Sequence, residues 1–114
     1  MQIAFQILYA LVILLHVYFA VLEMALWKKR VPKIFGISQD FADKSAALAS
    51  NQGLYNLFLV VALLIGFFHP LFVLYGLGCV IVAGIWGAIT VNKRIFFVQG
   101  LPALLALALY LLGQ

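Results

Sequence analysis

Four long stretches of this chain carry almost no charge, and no other feature constrains the fold as much. They cover residues 3–27, 45–67, 71–91 and 95–112, and Glu23 is the one acid among them. Hydrocarbon about 30 Å thick takes roughly 20 apolar residues per helix, so each stretch predicts a membrane span. A mean hydropathy of +1.21, with 68% apolar and only 9% charged residues, excludes an ordinary soluble domain. Four spans use roughly 80 residues, which leaves little of the 114 for loops. The expectation is one all-α membrane domain over residues 1–114, folded as a four-helix bundle.

The positive charge is one-sided. Lys28, Lys29, Arg30, Lys33 and Lys44 lie between the first two stretches, and Lys93 and Arg94 between the last two. The opposite connection is only Phe68-His69-Pro70. By the positive-inside rule both basic loops are cytoplasmic and both termini lie on the non-cytoplasmic side. Anionic lipid headgroups are then the expected partners of the charge, and nucleic acid is not. The first stretch ends in Lys-Lys-Arg instead of a small-residue cleavage site, so a retained anchor is expected and not a signal peptide. Cys79 is the single cysteine, so neither an internal disulfide nor a cysteine metal cluster is expected.

Residues 28–44 form the one long connection. Val31-Pro32 is expected to stop the first helix, because proline disfavours helix in the residue before it. Phe35-Gly36 reads as a turn. Ser38 or Asp40 can cap the next helix, with Asp43 in its first turn, and Ile37 and Phe41 are expected at the interface. His69-Pro70 reads as a tight outer turn. Gly100 and Pro102 fall where the fourth span begins, where proline costs least. Gly76, Ala83, Gly84, Gly87 and Ala88 on the third span, with Gly100, Ala103, Ala106 and Gly113 on the fourth, make small-residue stripes suited to close helix packing.

What interrupts the apolar stretches is the best guide to function, because polar groups in hydrocarbon normally face a partner, a cavity or a ligand. Counted from the basic edge, Glu23 lies about 7–8 Å deep. Asn51, Gln52 and Gln99 share that layer. Tyr55 and Asn56 lie one turn deeper, and His16 lies near the midplane. Tyr9, His16 and Glu23 recur every seven residues, roughly on one helical face. Gln52, Tyr55 and Asn56 are expected to share a face of the second span. The candidate ligand-binding set is therefore His16, Glu23, Asn51, Gln52, Tyr55, Asn56 and Gln99, around a pocket open toward the basic side. Plainer readings stand beside it. Glu23 could reach water and pair with Lys28, Lys93 or Arg94, His16 could be a neutral, satisfied core histidine, and the carboxamides could be interhelical glue. There is no HExxH, glycine-rich phosphate loop or nucleophile elbow. No catalytic residue, metal or cofactor is assigned, and whether a reaction is catalysed stays open.

His16, Leu22-Glu23-Met24, Trp27, Phe35-Gly36, Asn51-Gln52-Gly53-Leu54-Tyr55-Asn56 and Gln99-Gly100-Leu101-Pro102 together resemble a family of small, mainly bacterial four-helix membrane proteins, domain-of-unknown-function family 1304. The resemblance spans nearly the whole chain, and the Asn-Gln-Gly-Leu-Tyr-Asn run is its most specific part. It implies a multi-pass protein of the cell membrane, in bacteria the inner membrane, and implies no activity, substrate or cofactor. Three functions compete. The first is binding of a small amphipathic or lipid-like ligand in the polar layer. The second is proton-coupled transport using Glu23. The small multidrug-resistance exporters are similar in architecture only, since their glutamate lies near mid-membrane. The third is a non-catalytic assembly or accessory role, as a homo-oligomer or on another membrane protein, through the small-residue stripes.

Overall fold

The computed structural model describes residues 2–113. They are all-α, with no strand among the described residues. In chain order come α1 (Gln2–Met24), α2 (Trp27–Phe35), α3 (Gln39–Ile65), α4 (Pro70–Thr90) and α5 (Leu101–Leu112), with a π-helical turn at Phe96–Gly100 leading into α5. Three helices are long and apolar enough to cross a membrane: Ile3–Met24 of α1, then α3 and α4. Phe96–Leu112 is a shorter apolar helix. Only 28 to 33% of the 18-residue apolar stretch in each is buried within the chain. Ile7, Leu14, Leu48, Phe58, Val82 and Ile89 face outward, a surface that suits hydrocarbon better than water.

The chain divides into two compact units, and the division falls within α1 and within α3. His16–Val60 form one unit, and the chain before and after them forms the other.

In the larger unit, the core holds Tyr9, Val12, Leu63, Leu77, Val80, Ala103 and Ala106. The Tyr9 hydroxyl donates to the Leu63 carbonyl near the end of α3. Its ring lies 5.2 Å from Phe5 and edge-on to Phe67 at 5.4 Å. Gly66 is what lets the hydroxyl in, since a Cβ there would collide with it. Tyr9→Phe keeps the ring contacts and removes one buried hydrogen bond. It should cost about 1 kcal/mol, measured by reversible unfolding in mixed micelles; an unchanged midpoint would show that the hydroxyl contributes nothing.

The expected turn at His69-Pro70 is present. The amides of Phe68 and His69 both return to the Ile65 carbonyl, at 2.9 and 3.0 Å. His69 is extended (φ −134°, ψ 109°), as a residue before proline prefers, and Pro70 opens α4. The small-residue stripes are filled in part from within the chain, although Ala83 is exposed. A Cβ on Gly84 would lie 2.7 Å from both Cα and N of Gly100, and one on Gly87 would lie 2.7 Å from Ile95 Cγ2. Pro102 has no N–H for the Val98 carbonyl, which breaks the regular ladder at the start of α5. Just upstream the chain widens into the π turn, where the Leu101 amide reaches back to the Phe96 carbonyl.

In the His16–Val60 unit, several sequence expectations are corrected. The first helix stops at Met24 and not at Val31-Pro32. The amides of Ala25 and Leu26 both fall on the Val21 carbonyl, and Leu26 leaves helical geometry (φ −117°, ψ 8°). Residues 28–44 are mostly helical instead of a loop, and Pro32 sits inside α2. A proline there withdraws the amide that the Lys28 carbonyl would otherwise accept. The Gln39 Nε2 supplies that carbonyl at 3.0 Å, so the lost bond is replaced from outside the helix. The turn at Gly36 is as expected, with φ +68° in the left-handed region that ends helices. Ser38 caps α3, its Oγ accepting from the Phe41 amide at 3.1 Å. Asp40, not Asp43, is the acid in the first turn.

Candidate functional site

Two polar groups of the His16–Val60 unit, Glu23 and Asn56, meet where α1 ends. Glu23 is in the last turn of α1, and Asn56 lies midway along α3. Asn56 Nδ2 donates to Glu23 Oε1 at 2.5 Å. Asn56 is 7% exposed and Glu23 is half-buried. Among the described residues, nothing donates to Glu23 Oε2. Gly53, one turn before Asn56, sets the helix separation. A Cβ there would collide with Met24 Cγ and lie 3.2 Å from both the Ala20 carbonyl oxygen and Glu23 Cβ. With no side chain at Gly53, α3 approaches α1 closely enough for the short Asn56 amide to reach the carboxyl group.

The depth count pairs Glu23 with Asn51, whereas the structure pairs it with Asn56. The cause is the direction of the Cα–Cβ bond, which tilts toward each helix's own N-terminus. Glu23 leans away from the basic edge and Asn56 leans toward it, so partners on these antiparallel helices are offset along the axis. His16 is fully buried on the same face of α1, two turns before Glu23. Its ring meets Phe19 edge-on at 5.5 Å. Asn51, Gln52 and Tyr55 are exposed on α3, so Gln52 and Tyr55 do not share the buried face of Asn56. Gln99 is half-buried within the π turn of the other unit.

The residues flanking the pair are also held. Trp27 Nε1 donates to Ser45 Oγ at 3.0 Å, and Ser45 in turn donates to the Phe41 carbonyl at 2.7 Å. These bonds fix the chain immediately after Glu23. Glu23 is matched by an amide and not by Lys28. Among the described residues the carboxylate of Asp40 pairs with Lys44 at 3.1 Å, and Asp43 accepts from Gln39. Sequence reading missed the roles of Gly53 and Ser45. A glycine inside an otherwise apolar span, one turn from an amide, was the available signal for the first.

Residues 10–111 match the model of a family described as "Protein of unknown function (DUF1304)". The chain belongs to this family. The matched region contains the Glu23–Asn56 pair and Gly53, and also His16, Asn51, Gln52, Tyr55 and Gln99. No curated protein and no solved structure matches the chain.

Proposed function

We propose that this chain is a four-span protein of the cell membrane, in bacteria the inner membrane, with both termini on the non-cytoplasmic side. We propose further that it binds a small amphipathic or lipid-like ligand at a polar intramembrane site near its cytoplasmic face. The observation that carries this reading is the Glu23–Asn56 hydrogen bond between two membrane-length helices. A carboxyl group and a carboxamide held together at the edge of an apolar surface offer further acceptor capacity, chiefly at the second carboxyl oxygen of Glu23. Such a pair suits a hydroxyl or amino headgroup whose tail stays in lipid. His16, Asn51, Gln52, Tyr55 and Gln99 are the further candidate contacts. The four-span count rests on Phe96–Leu112, 17 residues or about 26 Å long, at the short end of what crosses a bilayer. Sidedness rests on the placement of all seven basic residues.

Native mass spectrometry of the protein released gently from its own membrane tests the reading. A stoichiometric non-detergent mass is expected, lost in Glu23→Gln while helicity is retained. A bare monomer would overturn binding, and a bare dimer or a complex with another protein would favour the assembly role. The half-exposed carboxyl group also supports proton-coupled transport. Substrate-driven proton flux in liposomes that vanishes in Glu23→Gln would decide for transport over simple binding.

A further inference from the structure

The helix inside the expected loop is strongly two-sided. In α2, Trp27, Val31, Ile34 and Phe35 fall at i, i+4, i+7 and i+8, an arc of about 100° on the helix surface. Lys28, Lys29, Arg30 and Lys33 occupy the remainder. Val31 is buried at 1% exposure, whereas Ile34 and Phe35 are left 50% and 60% exposed, as is Phe41 nearby at 55%. The apolar face is therefore covered at its centre and bare at its C-terminal end.

The four cations of α2 outnumber the three acids of the whole chain. Asp40 is paired with Lys44, while Glu23 and Asp43 accept from the neutral amides of Asn56 and Gln39. Among the described residues none of Lys28, Lys29, Arg30 or Lys33 has an ion-pair partner, and all four are exposed. Four clustered, unneutralised cations beside bare aliphatic and aromatic side chains match one surface chemically. Phosphate oxygens on one side and acyl chain on the other are what the headgroup layer of an anionic bilayer presents.

We infer that α2 is an interfacial helix that binds anionic phospholipid headgroups, with Lys28, Lys29, Arg30 and Lys33 on the phosphates and Ile34, Phe35 and Phe41 in the upper acyl region. This site is separate from Glu23 and Asn56 and does not depend on ligand binding there, but it rests on the proposal that the chain spans a membrane. Long basic side chains bury their stems and extend their charges to the phosphate level. The helix then lies in the plane of the interface.

Trp27, on α2, reports directly on its lipid neighbours. The full-length protein carrying Trp86→Phe is reconstituted in phosphatidylcholine bilayers, with phosphatidylglycerol or further phosphatidylcholine brominated high on the acyl chain, at equal mole fraction. Brominated phosphatidylglycerol should associate on the order of fivefold more strongly at Trp27, the factor one basic residue confers near an anionic surface. The preference should fall to near unity at about 1 M salt, where the Debye length is ~3 Å. It should also be lost in the Lys28→Gln/Lys29→Gln/Arg30→Gln/Lys33→Gln protein. Equal quenching by both lipids in the unmutated helix overturns the inference and leaves the cations to an acidic protein partner. A preference that survives the four substitutions overturns it as well and points to the remaining basic residues. If the four-site variant does not fold, the salt titration decides alone.

Discussion

Gly84→Ala should destabilise the chain by about 2–3 kcal/mol, among the largest effects available to a single methyl group here. A Cβ at that position would lie 2.7 Å from the Cα and N of Gly100. Both are backbone atoms, and neither can rotate aside as a side chain can. Relief requires α4 to move away from the π turn, with loss of the packing around Ala103 and Ala106, which are fully buried. Gly78→Ala on the same helix is the control, because a Cβ there meets nothing within 4 Å. It should be neutral or stabilising by up to about 1 kcal/mol, the helix preference of alanine over glycine. Thermal unfolding of both variants in one detergent tests the contrast. Equal midpoints would mean that the two backbones are not in close contact at Gly84.

Asn56→Leu should cost about 1.5–3 kcal/mol, because it leaves the Glu23 carboxyl group half-buried without its donor. Replacing both partners by apolar groups of similar size removes the unmatched group as well as the bond. The double variant Glu23→Met/Asn56→Leu should therefore recover to within about 1 kcal/mol of the unmutated protein. Hydrogen bonds between membrane helices average only ~0.6 kcal/mol by double-mutant cycle. A loss near that figure in Asn56→Leu would place this pair among ordinary packing contacts. The double variant has a second use. If it is stable but retains no ligand mass, structural and binding roles of the pair are separated.

What the sequence made legible depended on distance along the chain. The limits of α4 follow from a proline at one end and the last apolar residues at the other, both local signals. Gly36 and Ser38 likewise announce the end of one helix and the start of the next. Position along the helix axis is also legible, since rise per residue is fixed, and Glu23 does meet a carboxamide of α3, one turn or so beyond the one at equal count. Azimuth is not. Asn51, Gln52 and Asn56 lie within two turns of one another, yet Asn56 alone is buried, and the choice is made by Gly53 against Ala20 and Met24. The helix around Pro32 was hidden for a similar reason. Local rules stop a helix before proline. The group that makes this helix viable, the Gln39 side chain, lies eleven residues from the carbonyl it serves.

That same bond orders events in time. A nine-residue helix containing a proline cannot stand alone in water. The partners that hold α2 in its own unit, Gln39 and Ser45, are both carried by α3. During synthesis Lys28, Lys29, Arg30 and Lys33 emerge from the ribosome ahead of both partners. Until they follow, the basic segment lacks the two side-chain bonds that hold it as α2. Those bonds complete α2 only once the next span has arrived.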